Sequence, residues 1–344
     1  MSLYNVTLLG LNDGTFYPLH ISAIVCMTCS FLASFVVTAL SFKTHKKGFY
    51  LWPRSERFVV YLALCEASFN FIHMFDHVTM VTERDHVRPL ELCQFYAFLM
   101  VLLVTTKNLI LVIIAINAFL LIRFQRQMEF GAKDWRLFAV TLGVPSLYCT
   151  VALSFQQLGP AGAFCLVIPG ISTFLMTIIP FILILLVNTT LYSLTWFHIR
   201  RDAQQIRSVI GAQAQSSTSY IQAAKTMTMF ITVFTIQWWA VTVYGIWQII
   251  SHDVPSIVYI FVVIFTNIGG CLNLIVFISI QKKRRRIVPL DTKVQTSRLP
   301  VNLNPFQVNA NFTSEKVKAQ NTNSTGINTS TERIDRHSIA DATV

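Results

Sequence analysis

Hydrophobic residues in this chain gather into long continuous stretches at about 18–42, 58–81, 91–122, 137–155, 170–197, 226–250 and 256–280, with short polar segments between them. Each stretch is close to the ~20 residues an α-helix needs to cross the hydrocarbon core of a bilayer. Backbone polar groups in hydrocarbon must be satisfied within the segment itself, so helices are the form such stretches take. The pattern predicts an all-α membrane protein, a bundle of seven transmembrane helices. Charge marks several ends: Lys43 closes the first stretch, Arg57 opens the second, Arg123 closes the third and Lys282 follows the seventh.

The basic residues fall on every second connection. Lys43, Lys46, Lys47, Arg54 and Arg57 follow the first stretch, Arg123, Arg126, Lys133 and Arg136 the third, Arg200, Arg201, Arg207 and Lys225 the fifth, and the run Lys282 to Arg286 the seventh. The opposite side offers only Arg84 and Arg88. The positive-inside rule then places the N-terminus outside and the C-terminus in the cytosol. Composition agrees, with 53% hydrophobic and 12% charged residues and a mean hydropathy of +0.55. The net charge of +11 reads as orientation and attraction to anionic membrane lipid, not as nucleic-acid binding. The expected organisation is an extracellular N-terminus at 1–17, a helical domain at 18–286 and a disordered cytosolic tail at 287–344, rich in Asn, Thr and Ser whose hydroxyls are candidate kinase substrates. The first stretch is expected to act as an uncleaved signal anchor, and Asn5 of Asn5-Val6-Thr7 as an outside glycosylation site. The matching triplets at Asn311, Asn323 and Asn328 fall in the cytosolic tail and are set aside.

Of seven cysteines, Cys26, Cys29, Cys65, Cys149 and Cys271 lie within stretches and read as small buried residues. Cys93 at the outer end of the third stretch and Cys165 in the outside loop before the fifth share an oxidising compartment, and a disulfide between them is expected. Together with the seven-helix pattern, these features resemble a G-protein-coupled receptor over roughly residues 18–286. Leu62-Ala63-Leu64-Cys65-Glu66 looks like a second-helix motif of rhodopsin-like receptors with glutamate in place of aspartate, and Asn273-Leu274-Ile275-Val276-Phe277 is a degenerate form of their Asn-Pro-x-x-Tyr. Where those receptors carry Asp-Arg-Tyr, this chain has Asn117-Ala118-Phe119, and its Trp238-Trp239 lacks the usual sixth-helix proline. The loop from Gly159 to Cys165 and the run Gly269-Gly270-Cys271-Leu272-Asn273 are instead similar to cyclic-AMP-receptor-like and secretin-adjacent receptors. The resemblance implies a plasma-membrane receptor for an extracellular ligand, coupled to a heterotrimeric G protein, with no catalytic residues, metal or cofactor.

Ionisable groups inside a bilayer need partners, since each costs about 2.5–3.5 kcal/mol at the centre if unsatisfied. Glu66, Asn70, His73 and His77 recur at intervals of four, three and four, which sets them on one helical face with Asp76 beside them. Lys107 lies deep in the third stretch, and the resemblance brings it toward Glu66. A static bridge and a polar switch with Asn108 and Asn273 are both open readings of that pair. Nearer the outside, His73, Asp76, His77, Tyr96, Trp238, Tyr244, Trp247, Gln248 and Tyr259 form the candidate ligand pocket, a mixture of aromatic walls and few polar anchors. Aromatic belts at the membrane interface are the plain alternative for each single aromatic, and the histidines add the possibility of pH sensing. On the cytosolic side Arg126, Lys133, Arg200, Arg201 and the run from Lys282 are candidate G-protein contacts, although topology alone accounts for basic loops.

Three other functions fit parts of this pattern. A retinal photoreceptor needs a Schiff-base lysine on the last helix, and 256–280 holds none. An intramembrane zinc hydrolase built on His73, Asp76 and His77 lacks the further histidine such a site requires in the right place. A channel or small-solute transporter is the remaining alternative, but the chain shows no internal repeat between its first and last three stretches.

Overall fold

The computed structural model describes residues 4, 6–45, 48–209, 214–250 and 254–296; of residues 172, 202–209, 214–228, 231, 248, 249 and 283–296 it describes the backbone alone. Helix α1 is Phe16–Thr44, α2 Arg54–Glu83 and α3 Leu90–Phe124. Helix α4 runs in two pieces, Trp135–Thr141 and Gly143–Ser154. A hairpin of β1 (Leu158–Pro160) and β2 (Cys165–Val167) follows. Helix α5 comprises Ile171–Thr173, a π-turn at Phe174–Ile178 and Ile179–Val209; α6 is Ala214–Ile250; α7 is Ser256–Asn267 and Gly269–Thr296, bent by 41° at the break. The bundle is helical, as the apolar stretches predicted, and among the described residues α1 to α5 and the bent α7 are long and apolar enough to cross a membrane. The observed helices outrun the apolar stretches, most of all at the end, where α7 continues to Thr296. The hydrogen-bonded ladder does not stop where hydrophobicity does. The Asn5 sequon and the tail from residue 297 onward lie outside the described residues.

Prolines set three of the helix starts. Pro53, Pro89 and Pro255 precede α2, α3 and α7 with extended ψ values of 141°, 173° and 140°. Proline lacks a backbone N–H and resists a helical residue before it, so it begins a helix without interrupting one.

Helix α3 is the central post, in contact with α2, α4, α5, α6 and both strands, while α1 packs against α2 and α7. Phe58, Leu62, Ile110, Ile114, Phe230 and Phe234 make one apolar layer between these helices. A second lies under the hairpin, around Phe69, Met80, Met100 and Leu158. The outer surface is also apolar: Phe35, Leu147 and Phe197 are each about two-thirds exposed (65%, 69% and 67%), an arrangement that hydrocarbon tolerates and water does not. Helix α1 buries Leu19, Ala23, Met27, Ser30, Ser34 and Val37, one face at helical spacing. Cys29 falls between them on the exposed side, which corrects its expected burial; Cys149 is buried, and Cys26, Cys65 and Cys271 are partly so.

The Cys93–Cys165 disulfide, expected from the sequence, ties β2 to the start of α3. The hairpin pairs Leu158 with Val167, Gly159 with Leu166 and Pro160 with Cys165. Asp76 of α2 adds a second fastening, its Oδ2 accepting the Cys165 N–H at 2.8 Å. The hairpin is thus held down by a covalent bond on one side and a buried hydrogen bond from its own backbone on the other.

Candidate functional site

Buried polar groups occupy the middle of the bundle in two layers. The deeper one centres on Glu66 of α2. Lys107 Nζ of α3 lies 2.8 Å from Glu66 Oε1, and Gln237 Nε2 of α6 donates to the same oxygen at 3.2 Å. Asn70, one turn further along α2, donates to the Glu66 carbonyl at 2.8 Å and reaches Oε2 at 3.3 Å. The Lys107 ammonium also sits 4.7 Å from the Trp238 ring centroid, a cation–π contact. Pair and partners together satisfy what either charge alone could not in this setting.

The α7 bend belongs to this layer. In a regular helix the Gly270 N–H would bond the Thr266 carbonyl. Here Gly270 N–H donates to Ser30 Oγ of α1 at 2.7 Å, and the released Thr266 carbonyl accepts Gln237 Nε2, also at 2.7 Å. A β-carbon on Gly269 would collide with the Glu66 carboxylate, and one on Gly270 with the Ser30 backbone carbonyl. These two glycines let α7 press against α1 and α2, and Gln237 joins the broken helix to the ion pair.

The upper layer is a chain of histidines. His20 Nδ1 meets His77 Nδ1 at 2.6 Å, His77 Nε2 meets His73 Nε2 at 3.1 Å, and His73 Nδ1 meets Asn267 Oδ1 at 3.3 Å. Asn267 donates its Nδ2 to the Val263 carbonyl at 2.8 Å, which turns its oxygen toward His73. One set of neutral tautomers satisfies every link: His73 donates from Nδ1 and accepts at Nε2, His77 donates from Nε2 and accepts at Nδ1, and His20 donates from Nδ1. Phe164 of the hairpin covers His73 and His77, at 5.1 and 5.9 Å between ring centroids.

Between these layers and the hairpin is a cavity of about 770 Å³, walled by α2, α3, α5, α6, α7 and the hairpin. His73, Asn108, Phe164, Trp238, Tyr244 and Tyr259 are among its lining residues. The π-turn of α5 contributes Phe174, Met176, Thr177 and Ile178. Its irregularity is stabilised locally: Pro180 has no N–H to offer the Met176 carbonyl, and Tyr148 Oη of α4 donates to it at 2.6 Å.

At the basic end, Asp134, buried between α3 and α4, lies 3.3 Å from Arg57 Nη2 and accepts Tyr61 Oη at 2.7 Å. Arg57 also donates to the Tyr50 carbonyl at 3.0 Å, and Asn117 Oδ1 accepts the Met128 N–H at 3.1 Å. Asn117, the first residue of Asn117-Ala118-Phe119, therefore holds the connection after α3.

The sequence-predicted residues separate as follows. His73, Trp238, Tyr244 and Tyr259 line the cavity. Asp76 and His77 are fully buried outside its wall, because one holds Cys165 and the other its histidine neighbours. Tyr96 packs under the hairpin and Trp247 is 40% exposed, while the Gln248 side chain is outside the described residues. Glu66 and Lys107 meet, and Asn273 is buried, but Asn108 lines the cavity instead of hydrogen-bonding the pair. Arg126, Lys133, Arg200 and Arg201 are exposed at the basic end. Sequence reading passed over His20, Ser30, Gln237, Asn267 and Asp134. For three of them, His20, Gln237 and Asn267, the available signal was a polar side chain inside an apolar stretch, which lipid would penalise unless it faced a partner.

No family model matches the chain, and no curated protein matches it. Among solved structures it is similar to the crystal structure of squid rhodopsin, with a TM-score of 0.62 and 15% sequence identity over 84% of this chain and 89% of that one. At this identity the likeness establishes the fold: the chain is a membrane protein built on the rhodopsin-type seven-helix bundle.

Proposed function

We propose that this chain is a plasma-membrane G-protein-coupled receptor of the divergent group similar to cyclic-AMP-receptor-like and secretin-adjacent receptors. Its N-terminus, with Asn5, lies outside. Ligand occupies the cavity under the Cys93–Cys165 hairpin, and the basic end, with Arg126, Lys133, Arg200, Arg201 and the run from Lys282, faces the lipid headgroups and a heterotrimeric G protein. The observation that carries this reading is the position of Trp238. It lines the cavity and simultaneously carries the Lys107 ammonium on its ring. A ligand that moves this indole alters a pair shared by α2, α3, α6 and α7, and so biases helices rather than one side chain. Asn273 is buried on α7 beyond the bend and is the remaining member of the proposed relay.

The test is nucleotide exchange on a panel of Gα subunits in cells expressing the chain, beside Glu66→Ala matched for surface expression. Basal exchange above vector level, altered by the variant, is the expected result. A well-expressed chain that conducts ions or solutes and activates no α subunit overturns the reading in favour of a channel or transporter.

A further inference from the structure

We infer that the segment from Val6 to Thr15 is a strap that shuts the roof of the cavity on its α2 and α7 side and leaves entry to the start of α5. The roof on that side is the hairpin turn. Ala161, Ala163 and Phe164 line the cavity, and the Ala161 N–H closes the turn on the Phe164 carbonyl at 3.0 Å. The strap lies against the same turn. Leu9 N–H donates to the Gly162 carbonyl at 3.2 Å, and a β-carbon on Gly162 would stand 3.3 Å from the Thr7 carbonyl. Glycine at φ +94° therefore lets the two backbones meet. Leu9 also packs against the cluster of Leu19, Ala23, Met27, Ala163 and Val263, two of which belong to the cavity wall.

Both ends of the strap are tied to other connections. His86 Nε2, between α2 and α3, donates to the Val6 carbonyl at 2.7 Å. At the other end Ser256 Oγ, where α7 starts, donates to Asp13 Oδ2 at 2.7 Å, and Thr15 N–H donates to Asp13 Oδ1 at 3.0 Å. Chain termini are poorly ordered unless fastened in this way. A segment held by a few hydrogen bonds also opens at a lower cost than the helices beneath it. Exposure divides the cavity wall along the same line. On the strapped side His73, Ala163 and Val263 are 4%, 5% and 3% exposed. At the start of α5, Pro169, Gly170 and Ile171 line the cavity and are exposed, Ile171 by 75%. The wall thus reaches the surface beside α5 and is covered under the strap.

This inference rests on the receptor reading only for calling the cavity a ligand site, and thiol labelling tests it with no ligand or G protein present. Val263→Cys places a thiol in the cavity wall on the strapped side. Purified full-length chain in nanodiscs is treated with a sulfonatoethyl methanethiosulfonate reagent, and the labelling of the native cysteines is subtracted using the parent chain. Leu9→Asp puts a charge into the strap's apolar contact and should raise the labelling rate at Val263→Cys roughly ten-fold. Leu11→Asp makes the same change in the same segment at a side chain that is 50% exposed, and should leave the rate as it was. Thr173→Trp adds bulk to the cavity wall beside Ile171 and should slow labelling several-fold in the strapped chain. Combined with Leu9→Asp it should not, because the second route is then open. Where a variant fails to fold, Leu9→Ser and Ile171→Trp replace Leu9→Asp and Thr173→Trp. An unchanged rate in the Leu9 variant, an equal rise in Leu11→Asp, an unchanged rate in the bulky variant, or slow labelling of the combined variant overturns the inference. The Gα exchange assay on the same chain reports independently whether the receptor reading stands.

Discussion

Two buried ion pairs hold this bundle, one at mid-depth and one at the basic end, and they are built differently. Glu66–Lys107 is 1% and 3% exposed, and its atoms are reached by side chains of α2, α3 and α6, with α7 attached through Gln237. Arg57–Asp134 has 11% and 5% exposure, and it joins α2 to the connection between α3 and α4, with Tyr61 on the same helix as Arg57. The first is a junction where side chains of three helices meet and a fourth is attached. The second is a clasp between a helix and the loop beside it. Both pairs are buried, and they differ in how many independent elements share their atoms.

The contrast is broken most forcefully by removing one charge. Glu66→Ala leaves Lys107 unpaired at mid-depth and is expected to destabilise by about 3–5 kcal/mol, the usual range for stripping one partner from a buried pair. It should be visible as lost surface expression and a lower Tm in detergent. Exchanging both charges, Glu66→Lys with Lys107→Glu, should recover part of that loss, and damage equal to the sum of the single changes would refute direct pairing. Asp134→Ala should cost less, about 1–3 kcal/mol, because Arg57 keeps the Tyr50 carbonyl and lies nearer water. Losses that rank in the opposite order would remove the distinction between junction and clasp.

Gln237→Leu sharpens the comparison without touching a charge. It orphans the Thr266 carbonyl at the α7 bend and takes one donor from Glu66, an expected loss of about 1–2 kcal/mol. If the junction couples helices, basal Gα exchange shifts in this variant at matched expression and does not shift in Tyr61→Phe, which removes a comparable hydrogen bond from the clasp.

The smallest effect belongs to an exposed carboxylate outside the membrane. Hydrogen bonds from Thr15 and Ser256 hold the Asp13 carboxyl down at about 2. A lowered value in the folded state means that its stabilisation is full above the ordinary carboxylate range of about 4 and is lost as pH falls through about 2. Asp13→Asn should leave Tm near pH 7 within error, since solvent screens such contacts, and should flatten only the dependence below pH 4. A large change at pH 7 would show that exposure is a poor guide to what these carboxylates contribute.

Some of this architecture could be read in one dimension. A helix that crosses lipid satisfies its backbone locally, so the apolar stretches, their number and their approximate ends follow from the order of residues. The helical face shared by Glu66, Asn70, His73 and His77 is likewise a matter of spacing, and the need to pair Lys107 follows from the penalty on a lone charge in hydrocarbon. The break in α7 was less legible. Gly269-Gly270 stood out as a motif, but its meaning depends on Ser30, Gln237 and Glu66 arriving from three other helices. The π-turn of α5 left no mark, because a one-residue change of register inside a continuous apolar run does not disturb its hydrophobicity.

The same division separates Asp76 from His73. Both sit on one stretch of α2 and share a polar character, and nothing in their spacing tells that one would hold the hairpin backbone while the other would face the cavity. What the sequence by itself determined was which segments enter the membrane and which polar groups would need company there, because both depend on local free energies of transfer. Which groups met was decided by the tertiary structure. His73 reaches Asn267 across 194 residues, and Gln237 reaches Glu66 across 171. Such contacts are set by helix rotation, the α7 bend and the close approach its glycines permit, none of which is a property of any segment alone.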